Sequence, residues 1–369
     1  MDSSALFWLV LGLASLVAGG ELLVRGAARL ATLFGLSPLV IGLTVVAMGT
    51  SAPELAVSIH AGLAGQSELA IGNVVGSNIA NVLLILGIAA VLVPLVVQAQ
   101  IVQREVPIGI AAAVAVLILA LDGRIGRVDG ALLSAALIGY TAYTVAESRR
   151  ETRAVRKEYA EEFGTQTRPQ GAWAVSREVG IFIAGLVVLV LGAQWLVDGA
   201  VSIAESLGVS KAIIGLTIVA IGTSLPELAT SVIASLRGQR DIAIGNAIGS
   251  NLFNLLAILG IAGLVTPDGL TVPAGILRFD LPVMITVAAA CLPVFFVGHR
   301  LDRWEGTMFL GYYAAYLLYL TLNAVRHEAL DEFSLAMVAF VMPLTAVTIA
   351  ILVWRTLRAR REPNARTKR

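Results

Sequence analysis

Apolar residues run along this chain in long blocks, each close to the roughly 20 residues that cross the hydrocarbon core of a bilayer as a helix. Such blocks can be laid out at 6–34, 39–65, 71–94, 106–121, 128–147, 179–207, 212–236, 243–265, 280–298, 304–325 and 334–354. The pattern predicts eleven transmembrane helices. It changes character between the fifth and sixth blocks, where residues 147–178 read ESRRETRAVRKEYAEEFG and onward, and again after the last block, which ends in the basic run WRTLRARREPNARTKR. Composition agrees: 57% of the 369 residues are hydrophobic and 14% charged, and the mean hydropathy is +0.86. A water-soluble domain of this length could not cover so much apolar surface, so the expectation is an all-α polytopic membrane protein.

Two blocks break their own pattern. Gly42–Ile59 reads GLTVVAMGTSAPELAVSI, with a proline and a glutamate in the middle of an apolar span, and Gly215–Val232 reads GLTIVAIGTSLPELATSV. A second pair follows at the same offset of 173 residues: AIGNVVGSNIANVLLILGIA from Ala70 and AIGNAIGSNLFNLLAILGIA from Ala243. No gap is needed, so the chain contains an internal repeat. The offset spans five blocks plus the polar segment, and an odd number of crossings turns the second copy over. The predicted organisation is two inverted five-helix repeats, 1–146 and 179–325, joined by a cytoplasmic linker at 147–178. Residues 326–369 add an eleventh helix without a counterpart. Inverted repeats with interrupted spans at matching places point to a secondary transporter whose site lies between the repeats near the midplane.

The interruptions carry the chemistry. Proline at 53 or 226 has no N–H for the carbonyl four residues back and disfavours helical geometry in the residue before it. The helix should open at Gly49–Ser51 and Gly222–Ser224 and leave carbonyl oxygens free, which is tolerated at membrane depth only inside protein or along a wet cavity. Glu54 and Glu227 stand beside those breaks. A carboxylate at the bilayer centre costs roughly 3 kcal/mol on insertion scales, and two converging ones repel unless a cation or protons sit between them. In GSNIAN and GSNLFN, Ser77 and Asn81, and likewise Ser250 and Asn254, are four apart and share a helix face; close helix packing is the competing reading for their glycines. These are hard oxygen donors, suited to Ca²⁺ or Na⁺ rather than Mg²⁺. No HExxH, clustered cysteine or paired histidine offers softer ligands, and His60, His299 and His327 have no matches between the repeats.

The paired GTSxPEL and GSNxxN motifs in inverted halves resemble the calcium/cation antiporter superfamily, specifically the bacterial and archaeal sodium/calcium exchangers. The resemblance covers the first ten spans. It implies ten core helices, four of them around the ions, and exchange of Na⁺ for Ca²⁺ by alternating access. The implied calcium ligands are Glu54 and Glu227 with the backbones of Thr50 and Thr223. Ser51, Ser77, Ser224 and Ser250, with the carbonyls of Ala47 and Ala220, are implied for sodium, and Asn81 and Asn254 for the central position. Some members of the family have aspartate where Asn254 stands; here both copies carry the neutral amide.

Charge placement orients the chain. With the N-terminus outside, Arg124, Arg127, Lys211, Arg278 and Arg326 fall outside and the other 21 of 26 Lys and Arg inside, as the positive-inside rule requires. The expected location is the cytoplasmic membrane of a prokaryote, C-terminus inside. MDSSALFW lacks the basic start of a cleaved signal and is expected to open the first span. The one cysteine, Cys291, permits no disulfide within the chain. The expected partners are the two ions and the lipid bilayer, with no cofactor, nucleic acid or obligate protein partner. A Ca²⁺/H⁺ antiporter using the same glutamates is the alternative to Na⁺ coupling. An intramembrane protease lacks its HExxH or paired membrane aspartates, and a passive channel would be slowed by a carboxylate cage.

Overall fold

The computed structural model of the protein describes residues 3–163, 172–207 and 220–361, so the expected span at 212–236 begins outside the described residues. The helices in chain order are α1 (Ser3–Phe34), α2 (Pro38–Thr50), α3 (Ala52–Leu63), α4 (Ser67–Leu92), α5 (Ile101–Asp122), α6 (Arg127–Phe163), α7 (Ala172–Ser206), α8 (Ala220–Gly222), α9 (Leu225–Leu236), α10 (Arg240–Val265), α11 (Ile276–Phe296), α12 (Arg303–Ala324) and α13 (Ala329–Trp354). Among the described residues eight helices are long and apolar enough to cross a membrane, nine if the bent pair α2 and α3 is one span. Large apolar side chains such as Phe7, Ile138, Ile183 and Phe340 lie exposed on the outside, where lipid covers them. This is an integral membrane protein.

The elements form two shells. α4 and α10 are 78% and 72% buried, whereas α1, α5, α6, α7 and α11 lie between 22% and 33% and α13 is not buried at all. α4 and α10 therefore occupy the centre. They carry the GSN motifs, whose polar side chains could not face lipid without losing hydrogen-bond partners. α13 lies against α12, where the Tyr312 hydroxyl bonds Thr345 Oγ1 at 2.6 Å.

Both interrupted spans end in the same way. Gly65 and Gly238 take left-handed conformations, φ +73° and +74°, and the next amides, Gln66 and Gln239, reach back to Ala61 and Ala234 carbonyls at 2.8 Å. Glycine accepts that conformation without the penalty a Cβ would bring, and the reach back satisfies carbonyls at the helix end. Four two-residue strands depart from the all-α expectation, being too short to leave an alternating pattern. β1 (Leu95–Val96) pairs antiparallel with β4 (Arg300–Leu301), and β2 (Arg124–Ile125) with β3 (Leu270–Thr271). Each ribbon thus ties a connection in the first half of the chain to one in the second.

A related correspondence anchors the outer helices. Glu105, near the start of α5, accepts hydrogen bonds from Tyr140 of α6 at 2.6 Å and from Gln100 at 2.9 Å. Asp280, near the start of α11, accepts one from Tyr316 of α12 at 2.9 Å. Both acids sit two residues before a proline, in EVP and DLP. The hydroxyls help to satisfy carboxylates drawn away from water.

The most extensive helix contact joins α1 and α7. Glycine recurs every seventh residue on each, at Gly12, Gly19 and Gly26 and at Gly185, Gly192 and Gly199. A Cβ on Gly19 would stand 2.5 Å from the Leu189 nitrogen, and one on Gly192 would stand 2.7 Å from the Leu16 nitrogen. The obstacles are backbone, which cannot rotate away, so only glycine permits this antiparallel pair to approach so closely. Gly192→Val is expected to destabilise the folded protein by about 1–3 kcal/mol through overpacking, read as a lower melting temperature in detergent. Gly139→Val, at an open position, should leave that temperature within a degree or two of the wild type.

Candidate ion-binding site

The proline in each broken span turns out to lie in the first turn of a new helix. Ser51 precedes α3 and Ser224 precedes α9, at φ −84° and −87°; Pro53 and Pro226 follow in the first turn, and Glu54 and Glu227 come next. Proline is tolerated there because its missing N–H would have no intrahelical partner. The glutamates consequently sit at the positive ends of two half-helices, where backbone dipoles favour a negative charge. α2 and α3 meet at 46°. The opening is narrower than the proline rule alone implies. The Ser51 carbonyl is not free but accepts from Leu55 at 3.1 Å, and the Ser224 carbonyl accepts from Leu228 at 3.0 Å. The new helix begins at these serines and recruits their carbonyls at once.

Glu54 and Glu227 are each 1% exposed. Ser51 Oγ donates to Glu227 Oε1 at 2.8 Å, joining the two motif copies. Neither glutamate is ion-paired with a basic side chain among the described residues. The other candidates surround them. Thr50 Oγ1 donates to Asn246 Oδ1 at 3.0 Å and stands 3.4 Å from the Ala47 carbonyl. Thr223 Oγ1 lies 3.4 Å from Asn73 Oδ1, Ser224 Oγ 3.3 Å from Ser77 Oγ, and Asn81 Nδ2 donates to Asn251 Oδ1 at 2.9 Å. Ser250 and Asn254 are buried on α10. Ala220 stands at the start of α8, just before Thr223, and is joined to the others by position alone.

Asn73 and Asn246 are the residues that motif reading passed over. Asn246 Nδ2 donates to the Glu227 carbonyl at 3.3 Å and to Ser231 Oγ at 3.0 Å. Asn73 Nδ2 does the same to the Glu54 carbonyl and Ser58 Oγ at the same two distances. Each asparagine clamps the half-helix of its own half while its oxygen accepts from the threonine of the other. The signal was present: both lie in the duplicated AIGN and in register. They were overshadowed by the GSN serines and asparagines a turn later.

What remains unsatisfied is as informative. Glu54 Oε2, Glu227 Oε2, Asn81 Oδ1, Asn254 Oδ1 and Ser250 Oγ are buried oxygens without a hydrogen-bond partner among the described groups. Buried polar atoms are normally paired, and four of these five can only accept. At Asn81 and Asn254 the helical turn widens so that bonds run to the fifth residue back, a local change frequent at functional sites. The helices come near enough for this because α2 crosses α10 on glycine: a Cβ on Gly249 would lie 2.5 Å from the Leu43 carbonyl. The arrangement can hold a hard cation through two carboxylates and several neutral oxygens. Among the described residues no group of three or more His, Cys, Asp and Glu gathers, so the charge available comes from the two glutamates.

The family model for the sodium/calcium exchanger protein matches residues 4–146 and 177–322. The sodium/calcium exchanger MaX1 of Methanosarcina acetivorans is 36% identical over 343 residues, covering 85% of this chain and 97% of its own. A putative antiporter, CaxA of Alkalimonas amylolytica, is 38% identical over 325 residues, 85% of this chain and 98% of the relative. Among solved structures, the sodium-calcium exchanger NCX_Mj, soaked without Na⁺ or Ca²⁺, superimposes with a TM-score of 0.73 at 29% identity, covering 87% of this chain and all of that one.

Asn246 is fully buried and Asn73 only partly so. Asn246→Leu, which removes the hydrogen bonds to Thr50, Ser231 and the Glu227 carbonyl, is expected to cost roughly 1–3 kcal/mol. Thermal denaturation in detergent should show a larger drop for Asn246→Leu than for Asn73→Leu.

Proposed function

Since the chain belongs to the sodium/calcium exchanger family, whose members are transporters and not enzymes, we propose that it is an antiporter driven by Na⁺ and moving Ca²⁺ by alternating access. The observation that carries this reading is the meeting of Glu54 and Glu227 from the two halves of the chain, linked through Ser51 and ringed by buried oxygens without donors. Ca²⁺ takes 6–8 oxygen ligands at about 2.3–2.6 Å. Glu54 and Glu227, with Thr50 and Thr223, supply its charge and part of that shell. Ser51, Ser77, Ser224 and Ser250, with the Ala47 and Ala220 carbonyls, serve Na⁺, and Asn81 and Asn254 line the centre.

Coupling follows from sharing. One Ca²⁺ neutralises both carboxylates, and so do two monovalent cations, but both sets cannot occupy the same oxygens together. An empty pair of charges in a medium of low dielectric is strongly disfavoured. The protein changes its open side only when loaded, so one ion's exit is tied to the other's entry. Neutral hydroxyl oxygens in both copies favour Na⁺ as the driver. Protons on the two glutamates would satisfy the same charge count without using those oxygens, which is the alternative reading.

The two halves are read as inverted five-helix repeats, 1–146 and 179–325, with 147–178 between them and 326–369 appended. Supporting this, α1 and α7 are repeat counterparts that run antiparallel, and the Asn73 and Asn246 bonds recur with the halves exchanged.

The test is ⁴⁵Ca²⁺ uptake into proteoliposomes under a Na⁺ gradient, a pH gradient or neither. Uptake should follow the Na⁺ gradient, and uptake driven by the pH gradient alone would transfer the reading to the proton alternative. Glu54→Gln and Glu227→Gln should each reduce flux to background while the protein remains folded and inserted. Near-normal exchange in either would remove that glutamate from the site. Reporter fusions should place Met1 outside and Arg369 in the cytoplasm; the same side for both would mean that 334–354 does not cross.

A further inference from the structure

A cavity of about 300 Å³ lies between α7 and the two breaks. Pro53, Thr223 and Pro226 belong to its lining, so it abuts the site. Toward the far end of α7 its wall is made by Gln194, Val197 and Asp198. Gln194 and Asp198 are four residues apart, share one helix face, and are both exposed. Asp198 is the one charged side chain among the described lining residues, and no ion pair among the described residues neutralises it.

The equivalent positions in the other half are different. By the offset of 173 residues, Gln194 corresponds to Glu21 and Asp198 to Arg25. Glu21 is held by Arg237 at 2.7 Å. One half therefore presents, beside an open cavity, a carboxylate with no ion pair among the described residues, while the other has an ion pair and a positive charge in the same register. A carboxylate at the mouth of a cavity with low-dielectric walls raises the local concentration of cations.

We propose that Asp198 is a recruiting site for hydrated Ca²⁺ at the outer mouth of the path to Thr223 and Glu54, and that it sets the apparent affinity for the ion from that side only. This rests on the antiporter reading above and on the charge-based orientation, in which 147–178 is cytoplasmic and Lys211, just past α7, lies outside. The ion keeps most of its water at Asp198, with Gln194 Oε1 available as a neutral neighbour. It loses that water only on reaching the two glutamates. The position held by Arg25 gives no such attraction on the opposite face.

The experiment compares wild type, Asp198→Asn and Asp198→Glu in right-side-out and everted membrane vesicles, with ⁴⁵Ca²⁺ flux measured against Ca²⁺ concentration at low and high choline chloride. In right-side-out vesicles at low salt, Asp198→Asn should raise the half-saturating Ca²⁺ concentration roughly three- to tenfold with the maximal rate held near wild type. Asp198→Glu should restore it. High salt should shrink the difference, because exposed charges are screened beyond about 10 Å at 0.1 M, and everted vesicles should show none. An unchanged half-saturating concentration at low salt overturns the proposal, as does an equal shift from both faces or a fall in maximal rate alone. Failure of the wild type to move Ca²⁺ would instead overturn the antiporter reading and this inference with it.

Discussion

The structure depends on one electrostatic constraint: two carboxylates, from residues 173 positions apart in the chain, are both buried in an apolar interior with no ion-paired base among the described residues. Everything near them reduces the penalty of that arrangement. The spans are broken so that half-helix dipoles end on Glu54 and Glu227. Ser51 donates across to Glu227. Asn73 and Asn246 fasten each half-helix start while their oxygens engage threonines from the other half. None of this supplies positive charge, so the pair is stable only when something from solution brings it. On the proposed antiporter reading, instability of the empty site is what ties the entry of one cation to the exit of another.

The same constraint explains why glycine is placed where it is. α2 must approach α10 closely enough for Thr50 to reach Asn246, and Gly42, Gly245 and Gly249 occupy that crossing with backbone contacts on both sides. Leucine or alanine would hold the helices apart and leave the asparagine oxygen without its hydroxyl. The packing of small residues and the polar lining are therefore one feature, although as sequence patterns they look like competing explanations of GSNIAN and GSNLFN.

Much of this could be read from residues alone. The duplicated GTSxPEL and GSNxxN segments pointed to Glu54, Glu227 and the serines, because a glutamate in a long apolar block has few physical excuses. Asn73 and Asn246 were harder to see, since an asparagine one helical turn from a stronger motif has no spacing signature of its own. Their function exists only through contacts some 15 to 196 residues away. The Glu105–Tyr140 and Asp280–Tyr316 bonds were hidden by a shift in the repeat offset, which grows by a few residues through the loops. The proline also misled in part. The proline rule predicts an open helix, but in SAPE and SLPE the proline starts one, so the serine carbonyls are already taken.

The two small ribbons bear on how such a chain is made. β1 is complete by Val96, yet its partner lies at Arg300–Leu301, and β2 waits from Ile125 for Leu270–Thr271. During synthesis the first half enters the membrane long before either partner exists, and Glu54 and Thr223's acceptor Asn73 wait with it. The two ribbons cannot both close until Leu301, which precedes α12, has emerged. Pairing across such separations is slow to nucleate. The interior is therefore completed late, since a chain that ends after residue 150 lacks both Glu227 and the partners of β1 and β2.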